Sequence, residues 1–165
     1  EPLRGETHQG FSDDSSWARG QSWAVYGLAL CYHYTHEEAI LPLFERVTKY
    51  FIDHLPEDYV PYWDLIFSDG SCEPRDTSAA AIAACGILEM EKYYHNQEFL
   101  DIAKKMMSSL SEKYTTVDYL QSNGIIKDGM YSRKHGHKSE CTSWGDYFYL
   151  EALMRMKKSD WKIYW

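Results

Sequence analysis

TSAAAIAACGIL, residues 77–88, decides how this chain folds. From Ala79 to Cys85 no charged or strongly polar side chain interrupts the run. On a helix such a run is apolar on every side, so it needs neighbours all round. It is too short to cross a membrane, which takes about 20 apolar residues. A buried helix over residues 77–94, at the heart of a helical assembly, meets both conditions.

Two further stretches share its character. Residues 17–34 carry Trp23, Ala24, Val25, Leu28, Ala29, Leu30 and Cys31; residues 144–157 carry Trp144, Tyr147, Phe148, Leu150, Leu153 and Met154. The stretches between them differ. In residues 37–54, Ile40, Leu43, Phe44, Val47 and Phe51 keep the spacing of a single helical stripe, with Glu37, Glu38, Glu45, Arg46 and Lys49 elsewhere. Residues 97–114 repeat the pattern through Phe99, Ala103, Met106 and Leu110, with Lys104 and Lys105 outside. A helix apolar all round must be enclosed, whereas an amphipathic one covers a neighbour and faces water. Their alternation predicts an all-α fold of inner and outer helical hairpins in two concentric layers, an internal repeat. The connections of residues 55–76 and 115–143 are long and the inner-to-outer turns short. Long loops and inner-helix starts therefore share one rim, where a site is expected.

At that rim stands SSWARGQSW, residues 15–23. Ser15 or Ser16 is the expected helix cap. Trp17, Arg19 and Trp23 then fall on or near the first turns of a buried helix, whose N-terminus favours an anion. A buried arginine needs an acidic partner or an acidic ligand. The chain is also rich in aromatic residues, with 14 Tyr and 6 Trp, as suits a groove that stacks sugar rings.

A net charge of −8 leaves no basic stripe for phosphates and excludes a nucleic-acid partner; no membrane partner is expected either. Cys31, Cys72, Cys85 and Cys141 have neither zinc-ligand nor CxxC spacing. Cys31 and Cys85 read as small buried hydrophobes, and all four as reduced thiols of a cytoplasmic protein. His135 and His137 lack accompanying carboxylate or thiol ligands, so no metal is expected, and no cofactor. The opening, Glu1 to Thr7, has no methionine and no targeting pattern. It leads us to expect a fragment.

Four blocks occur in order along the chain: Trp17-Ala18-Arg19-Gly20-Gln21-Ser22-Trp23-Ala24-Val25-Tyr26-Gly27, Pro61-Tyr62-Trp63-Asp64, Glu73-Pro74-Arg75-Asp76-Thr77-Ser78-Ala79-Ala80-Ala81, and Trp144-Gly145-Asp146-Tyr147-Phe148-Tyr149-Leu150-Glu151-Ala152-Leu153. Together they resemble the unsaturated glucuronyl hydrolases of glycoside hydrolase family 88. The resemblance covers most of the chain from His8 onward. It implies an (α/α)6 barrel, of which residues 1–165 form the C-terminal half of a single catalytic domain; Asp160 to Trp165 reads as a natural ending. It also implies a reaction in which the C4=C5 double bond of a terminal unsaturated uronic acid is hydrated, so that the product opens and releases the next sugar. The aspartates that do this chemistry in the family match no position here. The segment alone is therefore expected to be inactive and to supply recognition.

By the same resemblance Arg19 holds the uronate carboxylate, Trp17 and Trp23 wall the ring, and Gln9 bonds a hydroxyl or positions water, with His8 beside it. The loop 131–138, with Ser132, Arg133, Lys134, His135, His137 and Lys138, forms a positive island suited to an acidic second sugar. Its Ser132, His135 and His137 complete the expected binding set for a disaccharide or oligosaccharide. Asp13 and Asp14 are expected to serve loops or caps, Asp64 and Asp76 to order loops through turn or cap bonds, and Asp146 to favour the helix dipole or pair with an arginine. Half a barrel leaves inner faces such as residues 79–88 uncovered, inviting association with the missing half or with itself. The alternative reading is a helical-repeat module that binds acidic sugars without turning them over.

Overall fold

The computed structural model describes residues 3, 5–158 and 160–163. The expected natural ending lies partly outside these, at Tyr164 and Trp165, as do Glu1, Pro2 and Arg4. The described residues form five α-helices: α1 (Ala18–Thr35), α2 (Ile40–Asp53), α3 (Thr77–Met90), α4 (Gln97–Lys113) and α5 (Ser143–Lys157). A short 3-10 turn spans Arg133–His135.

The inner layer is α1, α3 and α5, with α3 in the middle; α2 packs on α1, and α4 on α3. The inner helices run in the same direction. Arg19 meets Asp76 and Trp144 meets Ser78 near their starts, while His33 and Arg155 both meet Glu89 near their ends. Each outer helix runs back against its inner partner, so Ser16 bonds Tyr50 at one end and Tyr32 bonds Glu38 at the other.

Every residue of α3 except Leu88 is buried. The closest approach is at Gly86, where an added Cβ would sit 2.7 Å from Tyr26 Cα and 2.8 Å from Tyr26 N. Only a residue without a side chain lets the backbones of α1 and α3 meet there. The outer helices bury one stripe each, Phe44, Thr48 and Phe51 on α2, and Phe99, Ala103, Met106, Met107, Ser109 and Leu110 on α4. A fully buried Phe such as Phe51 contributes about 1.5–3 kcal/mol.

The structure corrects several expectations. The uncovered faces are not on α3. They lie on the two flanks, at Trp23 and Tyr34 of α1 and at Tyr147, Leu150, Leu153 and Met156 of α5, each at least 37% exposed. The middle helix has inner-layer neighbours on both sides within the chain, and each flanking helix has one. Cys31 is exposed for the same reason, while Cys85 is buried as expected. The α3 helix stops at Met90 rather than residue 94, because residues 91–94 tighten into a turn. Glu91 there accepts from the N–H of Asn96, and Asn96 caps α4 by accepting from Phe99 N at 3.1 Å. Neither serine caps α1; Trp17 holds that position, and Ser15 donates to Asp64 instead.

Among the described helices none is long and apolar enough to cross a membrane. The long loops lace the inner starts together. Ala18 N donates to Trp63 O, Leu65 N to Ser16 O, Asp76 N to Pro61 O, and Thr77 N to Asp128 O. The rim is thus a hydrogen-bonded layer over the inner N-termini.

Candidate substrate-recognition site

Arg19 lies one position inside α1 and is 3% exposed. Its Nη1 donates to Asp76 Oδ2 at 3.0 Å and to the Met130 carbonyl at 2.6 Å; its Nη2 donates to the Tyr131 carbonyl at 2.5 Å. The indoles of Trp17 and Trp144 flank the guanidinium, 4.7 and 5.2 Å from it. Gly20 makes room for the first, since an added Cβ would sit 2.7 Å from Trp17 Cε3. Burial lowers the Arg19 pKa, with Asp76 opposing it. Burial likewise raises that of Asp76, against Arg19 and the bonds it accepts. The expected acidic partner therefore exists inside the chain. Even so, one edge of the guanidinium, Nε with the second Nη2 hydrogen, has no bonded acceptor among the described residues.

Arg19, Trp17, Trp23, Gln9, Tyr131 and Trp144 line one cavity of about 150 Å³. A second, of about 310 Å³, is lined by His8, Gln9, Tyr131, Ser132, His135 and His137. Gln9 and Tyr131 belong to both, so the cavities adjoin. All eight residues singled out in the sequence fall in this pair, contributed by the 7–16 loop, the start of α1 and the 131–138 loop.

The loops are pinned to each other. Gln9 Nε2 donates to Tyr131 O at 3.1 Å, Lys134 Nζ to Thr7 O at 3.1 Å, and the His8 and His135 rings lie 4.7 Å apart. Ser132 is buried, its Oγ 2.6 Å from His135 Nδ1. Buried Asp64 orders the 7–16 loop by accepting from Phe11 N and Ser15 Oγ, each at 2.8 Å.

Some roles differ from expectation. Asp76 stands at the cap position of α3 and orders the 130–131 backbone as expected, but its carboxylate also serves Arg19 and Ser78 Oγ. Asp146 pairs with no arginine among the described residues but accepts from the N–H groups of Ile125 and Ile126, each at 2.9 Å. Two of the island's cations are engaged elsewhere, Arg133 with Glu73 and Lys134 with the Thr7 carbonyl, and the histidines line the second cavity. Two lining residues went unremarked as site residues, Tyr131 and Trp144. Trp144 was within reach, because it occupies the first turn of an inner helix.

Among the described residues no carboxyl side chain lines either cavity. Among the described residues no group of three or more His, Cys, Asp or Glu is placed to hold a metal. A larger cavity, about 420 Å³, lies by the ends of α3 and α5 and includes Lys92, Lys104 and Arg155. There Arg155 is already committed to Glu89 and Glu151.

Residues 4–159 match Glycosyl Hydrolase Family 88. The chain is 47% identical, over all its length, to 43% of the unsaturated chondroitin disaccharide hydrolase of Streptococcus agalactiae serotype III (strain NEM316). It is 40% identical, over 94% of its length, to 43% of the unsaturated glucuronyl hydrolase of Bacillus sp. (strain GL1). It superposes on a crystal structure of the S. agalactiae unsaturated glucuronyl hydrolase with a TM-score of 0.93, covering 43% of that chain. A mutant of that enzyme complexed with dGlcA-GalNAc6S matches at 0.91. The chain spans less than half the length of these relatives, and its five helices make about half of their (α/α)6 barrel. The chain belongs to glycosyl hydrolase family 88.

Proposed function

We propose that this chain is the C-terminal half of a barrel that hydrolyses unsaturated glucuronyl oligosaccharides by hydrating the C4=C5 bond, and that it supplies recognition rather than the acid. The observation that carries this reading is a single cavity lined by Arg19, whose Nε edge is unfilled, by the two indoles near its guanidinium, and by Trp23 and Gln9. A guanidinium edge suits a planar carboxylate. Aromatic walls suit a sugar ring. The adjoining histidine-lined cavity takes the next sugar. The relatives' names point to chondroitin disaccharides.

The buried carboxylates of this chain are spent on structure, and the acid must come from outside it. The exposed flanks of α1 and α5 are where the rest of the barrel, or a second copy, would pack. The four free cysteines support a reducing compartment, and we assign the protein to the cytoplasm. The absence of a carboxyl from both cavities equally suits a module that only binds, and turnover after complementation separates the two readings.

Calorimetry with an unsaturated chondroitin disaccharide tests recognition. Binding by this chain, with lactose giving none, is the expected result. Equal heats from the two sugars would sink the assignment.

A further inference from the structure

Asp76 lines neither cavity, yet it holds much of the first one in place. Its side chain is fully buried. Oδ2 takes Arg19 Nη1, while Oδ1 accepts from Ser78 Oγ at 2.5 Å and from Met130 N at 3.3 Å. Met130 in turn offers its carbonyl to the same Nη1, and the next carbonyl, Tyr131, takes Nη2. Ser78 Oγ also accepts from Trp144 Nε1 at 3.2 Å. One carboxylate thus sets the plane of the guanidinium, the backbone that brackets it and one of the indoles over its face. It engages the arginine through Nη1 alone. Had it bonded in the usual two-pronged way across Nε and Nη2, no edge would be left for a ligand.

We infer that Asp76 is a positioning residue for acid recognition, fixing Arg19 so that its Nε/Nη2 edge serves a carboxylate. This rests on the reading of the cavity proposed above. Its consequence is specific. Loss of Asp76 lets the guanidinium turn toward other acceptors, so a carboxylate ligand suffers while an uncharged one of the same shape does not.

The probes are an unsaturated chondroitin disaccharide and the methyl ester of its uronate, with Kd measured by calorimetry on this chain. The wild type is expected to prefer the acid by about 10–100-fold, the worth of a charge-assisted pair. Asp76→Asn is expected to lose most of that preference while binding the ester within about threefold of wild type. In Arg19→Lys the preference also falls, and the double variant falls no further than the worse single one, because the two residues act as a unit. If Asp76→Asn fails to fold, Ser78→Ala, which removes one of the carboxylate's anchors, is judged on the same ratio. A ratio unchanged in Asp76→Asn but lost in Arg19→Lys overturns the role of Asp76 and leaves the cavity assignment standing. An unchanged ratio in Arg19→Lys, or no preference in the wild type, overturns the cavity assignment and this inference with it.

Discussion

Two buried arginines, one at each end of the inner helices, show how the same side chain is used in opposite ways. Arg155, near the end of α5, is held by two acids: Glu89 takes Nη1, and Glu151 Oε1 lies 2.8 Å from both Nε and Nη2. The Trp161 ring covers it at 4.4 Å. Arg19 has one acid, on Nη1, and a backbone carbonyl on each of Nη1 and Nη2, with its Nε edge left open. The electrostatics follow. Burial lowers the Arg19 pKa despite Asp76, whereas at Arg155 the same burial is outweighed by Glu151 and Glu89, and the value rises. A tryptophan over a buried arginine is thus no mark of a site. What distinguishes the Arg19 end is an edge of the fork that no acid fills.

The comparison breaks most visibly when Arg155 is removed. Arg155→Ala leaves Glu89 and Glu151 buried together, and the expected loss is about 3–5 kcal/mol. Urea unfolding measures it; a loss below about 1 kcal/mol would mean the network is not holding the helix ends.

Acid sharpens the contrast. Lys92 and Arg155 hold the Glu89 pKa below its ordinary 4.5 in spite of burial. The unfolded chain then takes the proton first on acidification, so the stability Glu89 contributes is present above about 4.5 and lost as pH falls through its lowered value. At Asp76 burial wins and the pKa rises above its ordinary 3.8. The folded chain takes that proton first, and protonation there costs no stability. Between about pH 5 and pH 3, Glu89→Gln should flatten the fall in unfolding free energy and Asp76→Asn should not. Matching slopes in the two variants would show that the ends do not differ in this way.

At the other end the effects move from stability to binding. Arg19→Lys keeps a charge for Asp76 but loses the fork, and affinity for the unsaturated disaccharide should fall by about 1.5–3 kcal/mol. An affinity unchanged by this substitution would make Arg19 a second Arg155. The smallest effect is expected at Trp23, which is 37% exposed and touches Phe148 edge-on with ring centroids 5.1 Å apart. Trp23→Ala should cost binding about 0.5–1.5 kcal/mol, with little change in unfolding. The reverse pattern would place Trp23 in the core rather than the site.

The layer order was legible in the sequence because enclosed and half-covered helices differ in hydrophobic period, and α3 and α4 carry that difference plainly. The burial of α1 and α5 was not. Their apolar flanks answer to a complete barrel, and five helices cover only part of them. The rim was legible from Trp17, Arg19 and Trp23 at a helix start, with the loop residues following from resemblance. Which acid would meet Arg19 was hidden. Asp64, Asp76 and Asp146 all precede or begin helices near the rim, and only folding shows that Asp64 serves the 7–16 loop, Asp146 the backbone at residues 125–126, and Asp76 the arginine. Ser15 and Ser16 misled for a similar reason, since side chains already bound to Asp64 and Tyr50 are not free to cap.

The central claim is that this chain carries recognition without the acid. Its most direct test follows the alkene's ultraviolet absorbance in an unsaturated chondroitin disaccharide, first with this chain alone and then with the part of the S. agalactiae relative that it does not match. The account predicts no loss from the chain alone and steady loss once the two parts are combined. Loss with the chain alone would contradict it and would send the search for a proton donor back to Asp13, Asp14, Asp64, Asp76 and Asp146.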